Sequence, residues 1–227
     1  MVKVGTSKKI EEKKDVKEKS LLASAFELFT EKGFKETSIQ EIVDNAGVAK
    51  GTFYLYFQDK YEIQNRLISK KSRELFNSAI NYVNKKNITD NKERIIALID
   101  YIIDRFNRDK LLLKFISKNL SMGIFNDKVN SVLKETETDL LELFKKNIES
   151  CNSKIENPEV TLFMIIELTS STVYSSIVYG KPLPIKEYKP FLYDEIRKIL
   201  SWYFSFYLFK YLRTLNSKGV IWIYLII

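Results

Sequence analysis

Residues 37–60 read TSIQEIVDNAGVAKGTFYLYFQDK, and this stretch decides the fold. Thr37 or Ser38 offers a side-chain oxygen to the first turn of a helix, and Glu41 stands three residues after Ser38, the spacing of a capping box. Ile39, Ile42 and Val43 give that helix an apolar side before Asn45, Ala46 and Gly47 end it. A few residues later, positions 50–57 have room for about two more helical turns. Two short helices across a tight glycine-containing turn make helix-turn-helix spacing. Asp59 then caps a longer helix that starts near Lys60 and runs through Ile63, Leu67, Ile68, Leu75, Phe76 and Ile80.

Upstream, residues 17–32 place Leu21, Leu22, Ala25, Phe26, Leu28 and Phe29 at helical spacing, with Gly33 where a C-terminal cap belongs. Residues 1–16 are dominated by charge and are expected to form a flexible basic arm. Downstream, helical patterns cover 91–107, 110–122, 127–150 and 159–179, with a last helix from about Glu187; Pro158 suits a helix start, and Gly180 with Pro182 a stop. The 159–179 segment is apolar nearly all round, which predicts contact on two sides. No alternating strand pattern and no internal repeat occurs. The fold class is all-α: three N-terminal helices around a helix-turn-helix, then a larger C-terminal helical domain.

Composition narrows the chemistry. The 227 residues contain no histidine and a single cysteine, Cys151. A Ser-His-Asp or Cys-His catalytic group, a zinc finger and an internal disulfide are therefore excluded, and neither clustered carboxylates nor a glycine-rich phosphate loop occurs. We expect no enzyme, no metal and no cofactor. Cys151 falls in a polar loop beside Asn152, and nothing near it in sequence lowers its pKa. Four prolines and seven glycines in the whole chain argue against sandwiches and barrels. The net charge of +8 raises the prior for a polyanionic partner. Its excess is C-terminal, however: residues 1–60 carry 11 basic and 10 acidic side chains, residues 181–227 carry 8 and 3. The N-terminus lacks an apolar stretch of signal-peptide length, so a cytoplasmic location is expected, and no run reaches the roughly 18 uninterrupted apolar residues of a spanning helix.

The 37–60 stretch, together with Glu31-Lys32-Gly33-Phe34 closing the first helix, Ala46-Gly47-Val48 at the turn, Lys50-Gly51-Thr52-Phe53-Tyr54 opening the second short helix, and Tyr56-Phe57 before Asp59-Lys60, resembles the TetR/AcrR family of bacterial transcription regulators. The motifs cover about the first 70 residues; the remainder agrees in length and helical character. The resemblance implies a DNA-binding domain at 17–62, a ligand-binding and dimerisation domain at 63–203, and an apolar extension at 204–227. It also implies a homodimer on a palindromic double-stranded DNA operator, released by a small apolar or aromatic effector, a cationic one included. The alternative is a helix-turn-helix regulator without a small effector, controlled by a protein partner or by membrane contact through the tail, where Lys210, Arg213 and Lys218 accompany the apolar octet 220–227.

Within this frame, the DNA-contacting candidates are Thr37, Ser38, Gln40, Lys50, Gly51, Thr52, Tyr54, Tyr56 and Lys60. Lys50 has the reach for guanine O6 and N7 or a phosphate, and Gln40 an amide for a base edge. Gly51 and Thr52 permit close approach, and Thr52, Tyr54, Tyr56 and Lys60 match family positions that touch phosphates. Ala49 supplies no capping oxygen, so the second short helix is expected to lean on packing by Val48, Phe53 and Phe57. Leu21, Phe26, Phe29 and Ile42 complete the expected core. For the effector the candidates are Phe76, Tyr101, Phe106, Phe115, Met122, Phe163, Glu167 and Tyr174, with Tyr179 as a further aromatic; a stripe of aromatics at helical spacing is equally ordinary core. Glu167, flanked by Ile165, Ile166 and Leu168, is costly to bury unless paired, by a cationic ligand or by a salt bridge at the surface or a dimer edge.

Overall fold

The computed structural model describes residues 3–125, 140–149 and 155–201, and the regular elements among them are all helices. They are α1 (Lys3–Glu31), α2 (Ile39–Asn45), α3 (Lys50–Tyr54), α4 (Lys60–Asn84), α5 (Asn91–Arg108), α6 (Lys110–Ile116), α7 (Leu120–Phe125), α8 (Leu140–Glu149), α9 (Pro158–Tyr179) and α10 (Ile185–Ser201). Three differ from the sequence expectation. α1 begins at Lys3, inside the stretch expected to be a flexible arm; lysine and glutamate are good helix formers and no proline interrupts them. α3 stops at Tyr54, with Leu55 as its C-cap. The helix expected over 110–122 is split by a 3-10 turn at Ser117–Asn119. Much of the helix expected over 127–150, Cys151, and the 204–227 extension lie outside the described residues.

The chain forms two compact units, Met1–Ser78 with Ile102–Thr136, and Ala79–Tyr101 with Glu137–Ile227. Within the first unit, Phe115 of α6 sets its ring edge-on to Phe26 of α1 at 5.1 Å and parallel to Phe29 at 6.5 Å. The first unit's core joins Leu21, Leu22, Ala25 and Phe29 of α1 to Ile42, Val43, Phe53, Phe57, Ile63 and Leu67.

In the second unit, α9 starts at Pro158 under an Asn157 cap whose side chain accepts from the Val160 amide. It buries Leu162, Ile165, Ile166, Val173 and Ile177, while Val160, Phe163, Met164 and Tyr179 stay exposed. By length and composition alone α9 is apolar enough to cross a membrane, a test that the core helix of a soluble protein passes too. α10 buries Leu192, Ile196 and Leu200 and is tied to α5 by ions. Arg197 donates to both carboxylate oxygens of Glu93 at 2.7 and 3.0 Å, and the Lys189 ammonium donates to Asp100 at 2.6 Å, joined there by the Tyr193 hydroxyl.

These ties shift titrations. The Arg197 hydrogen bonds hold the Glu93 carboxyl below its ordinary value. Burial pushes Asp100 up, but hydrogen bonds from Lys189 and Tyr193 outweigh it and leave that carboxyl lowered too. Both groups therefore contribute stability in full above their ordinary values of 4.5 and 3.8, and lose it as pH falls through the lower folded values. Arg197→Met is expected to flatten the fall in urea midpoint between about pH 5 and 3, because Glu93 then titrates alike in both states; an unaltered pH profile would contradict the assignment.

Candidate nucleic-acid interface

The first unit assembles its helix-turn-helix from α1 outward. Two serines one turn apart on α1 point at the next helix: the Ser24 hydroxyl donates to the Ile42 carbonyl at 2.8 Å and Ser20 to the Ala46 carbonyl at 3.0 Å. They hold the end of α2 against α1, Ser24 as a second donor to a carbonyl that also accepts from the Ala46 amide at 3.0 Å. The other end of α2 carries the capping box read from sequence. Ser38 Oγ accepts from the Glu41 amide, and Glu41 Oε2 accepts from the Ser38 amide at 2.8 Å. The Lys32 ammonium also binds Glu41. With the Ser38 hydrogen bonds, it draws the Glu41 carboxyl down to about 2.

After α2 the chain reverses at Gly47, whose φ of +65° is a conformation that only glycine adopts without strain. The Val48 amide then donates to the Val43 carbonyl at 3.0 Å. Ala49, at the N-cap of α3, makes no side-chain capping bond, as its composition dictates. A helix of five residues without a cap has little stability of its own. What fixes it is packing: Phe53 is fully buried and Phe57 nearly so, their rings 5.4 Å apart. Lys50, Gly51 and Tyr54 face outward, Tyr54 being 53 % exposed. An added methyl group at Gly51 would meet no atom within 4 Å, and its backbone is not left-handed. The fold gives this glycine no task.

The remaining candidates are placed less uniformly. Ser38 and Gln40 are exposed, with Ser38 committed to its cap and the Gln40 amide donating to Asp44 at 2.8 Å. Thr52 and Tyr56 are half-buried. Burial first, then the charges of Glu18 and Asp15, push the Tyr56 phenol up. Thr37 is a correction: it is 1 % exposed and its hydroxyl donates to the Gly33 carbonyl at 2.8 Å, so its side chain faces the interior. The Lys60 ammonium is also engaged, donating to the carbonyls of Phe34 and Thr37 at 2.7 Å and of Lys35 at 3.3 Å. Sequence reasoning missed Ser20 and Ser24, although two small polar residues four apart inside an apolar stripe are a legible sign. It also missed Arg66, which donates to Glu18 at 2.6 Å, Glu62 at 2.9 Å and the Tyr56 carbonyl at 3.3 Å.

The effector candidates divide between the two units. In the first, Phe76 and Phe106 are buried and Phe115 is engaged with α1; Met122 lies on α7, its side chain outside the described part. In the second, Tyr101 lies 4.8 Å from Tyr82 between ring centres, Tyr174 is edge-on to Tyr179, and Glu167 is half-buried. Phe163 is 46 % exposed, an outward position on α9.

Comparison with known proteins agrees with this geometry. Residues 21–67 match the sequence model of a family described as bacterial regulatory proteins, tetR family. The uncharacterized HTH-type transcriptional regulator YdgC of Bacillus subtilis is 31% identical over 135 residues, which are 58% of this chain and 64% of that protein. Among solved structures, a putative TetR-family regulator from Syntrophomonas wolfei has a TM-score of 0.58 at 24% identity, covering 81% of this chain and 94% of its own. The regulator FadR of Bacillus subtilis in complex with stearoyl-CoA has a TM-score of 0.56 at 20% identity, covering 80% and 97%.

The packing makes two stability predictions, both read by urea denaturation. Gly51→Ala should stabilise the protein by about 0.5–1 kcal/mol, the helix-propensity gain at a site with open space. Phe53→Ala should cost about 3–5 kcal/mol through the cavity it leaves.

Proposed function

Since the chain belongs to the tetR family of bacterial regulatory proteins and is a DNA-binding transcriptional regulator rather than an enzyme, we propose that it acts as a homodimeric repressor on a palindromic operator and that a small apolar effector releases it. The observation that carries the DNA reading is the division of α3: Phe53 is wholly spent on the core, while Lys50 and Gly51 face solvent, and Tyr54, 53 % exposed, turns outward with one edge of its ring against Phe53. Gly51 lets the helix approach a groove closely, Lys50 reaches a guanine edge or a phosphate, and Tyr54 and Thr52 supply hydroxyls for phosphates. Ser38, Gln40 and Tyr56 flank them. Two copies place their recognition helices in successive major grooves, with half-sites about one helical turn apart.

The dimer reading rests on α9 and α10. Phe163 and Met164 are each 46 % exposed and Tyr179 and Phe191 more than 60 %, an amount of large apolar surface that a second copy would cover. This is the second side of the two-sided apolarity seen in the sequence of α9. For the effector, the first unit offers buried Phe76 and Phe106 together with the hydroxyls of Ser72 and Ser117, which are buried without a hydrogen-bond partner. Such orphan hydroxyls cost about 1–3 kcal/mol each and stand to gain from a ligand's polar group. A coupling of roughly 1–3 kcal/mol between effector and operator suffices for release. Stearoyl-CoA, with which the structurally similar FadR was crystallised, is the first compound to try.

Selection of duplexes from a random pool at about 150 mM salt is expected to return a palindromic consensus. On that duplex Lys50→Ala should blur base preference, and Gly51→Ala should weaken binding by about tenfold while stabilising the fold. No consensus from a well-folded dimer, in the presence or absence of stearoyl-CoA, would refute the DNA reading. A Phe163→Asp, Phe191→Asp double variant is expected to sediment as a monomer and to lose affinity for the palindrome more than for a half-site. If it remains dimeric, the α9–α10 face is not the interface.

A further inference from the structure

Lys60 opens α4 and Arg66 follows in its second turn, and both reach groups outside their own helix. The Lys60 ammonium has three N–H donors, and three carbonyls receive them: Phe34 and Thr37 at 2.7 Å and Lys35 at 3.3 Å. These carbonyls belong to the turn between α1 and α2, and the same ammonium sits 4.5 Å above the ring of Phe34. Its donor capacity is filled, in the protein without DNA, by groups that need it: the turn's carbonyls have no helical partners. Arg66 makes a matching tie at the other end of the motif. Its guanidinium lies 4.9 Å over the Phe57 ring, donates to the Tyr56 carbonyl just beyond α3, and is anchored by Glu62 of α4 and Glu18 of α1. Glu62 in turn accepts from the Gln58 amide at 2.6 Å. The two cations therefore hold the segment before α2 and the segment after α3.

We propose that Lys60 is a positioning residue, fixing with Arg66 the pose of the helix-turn-helix on α4, and that it acts on DNA through that pose rather than as a direct phosphate contact. The proposal rests on the DNA-binding reading above. A phosphate contact would require the ammonium to abandon carbonyls that would then be left unpaired in a half-buried turn. A positioning role requires no rearrangement on binding. It also explains why Thr37 turns inward: its hydroxyl and its carbonyl serve the same turn from opposite sides, the first bound to Gly33 and the second to Lys60.

The test uses the full-length chain and the duplex that the wild-type protein selects from a random pool. Lys60→Met keeps the aliphatic stem over Phe34 and removes the donors. The expected result is a loss of specific affinity of about tenfold or more, an unchanged slope of log affinity against log salt, unchanged affinity for random duplex, and faster amide hydrogen exchange at the start of α2 in the free protein. A salt slope reduced by about 1, with exchange unchanged, would overturn the proposal in favour of a direct phosphate contact. Full retention of specific affinity would overturn it too. Should Lys60→Met fail to fold, lysine-selective NMR of the wild-type protein gives the same answer. A Lys60 ammonium signal that keeps its shift and slow exchange on adding the duplex supports the tie, and one that moves with DNA refutes it. A wild-type protein that selects no duplex would sink the DNA reading itself, and with it this role for Lys60.

Discussion

A helix of five residues such as α3 cannot keep its own shape. Helix nucleation is unfavourable and a single turn recovers little of its cost, so the geometry of α3 has to be imposed from outside. Two buried phenylalanines impose it from beneath, and the turn at Gly47 imposes it from the side of α2. The rest of the first unit reads as provision for this one constraint. α1 supplies the apolar floor and two serines that pin the end of α2; α4 supplies two cations that hold the segments on either side of the motif.

The outline was legible in the sequence because its signals are local. Ser38 and Glu41 three apart form the capping box they announce, Ala49 leaves α3 uncapped, and Pro158 opens α9, each within a single turn of chain. Helical periodicity likewise located α5 and α9 as helices, though not which side of the all-round apolar α9 is buried. What the sequence left out depends on which elements meet in space. No local pattern says that Lys60 turns back to carbonyls more than twenty positions earlier, or that Phe115 belongs to the aromatic floor under α1 rather than to an effector cavity. Thr37 was misplaced because a hydroxyl at a helix entrance has two directions open to it, outward to a phosphate or back to the preceding helix. The Gly33 carbonyl, which lies past the end of α1, decides for the second.

The second unit divides its labour differently. Its apolar interior is supplemented by a polar seam in which α10 is stitched to α5 by Arg197 with Glu93 and by Lys189 and Tyr193 with Asp100. Such pairs add little on an open surface. Their spacing along two helices nonetheless fixes a register, since a shift by one turn would part both pairs at once. α10 thus has a defined axial position against α5, and the apolar side chains it exposes are presented in a fixed arrangement.

The empty space around Gly51 has a consequence of another kind. A surface that is released from folding is also released from the selection that folding imposes. Lys50 and Gly51 face solvent, with open space beside Gly51, so descendants of this sequence can vary these positions without first passing through unstable intermediates. Repeated gene duplication would then yield many regulators that share one scaffold and diverge in what they read. The conservative part of the molecule is its floor, and the inventive part is a few side chains on a helix barely longer than one turn.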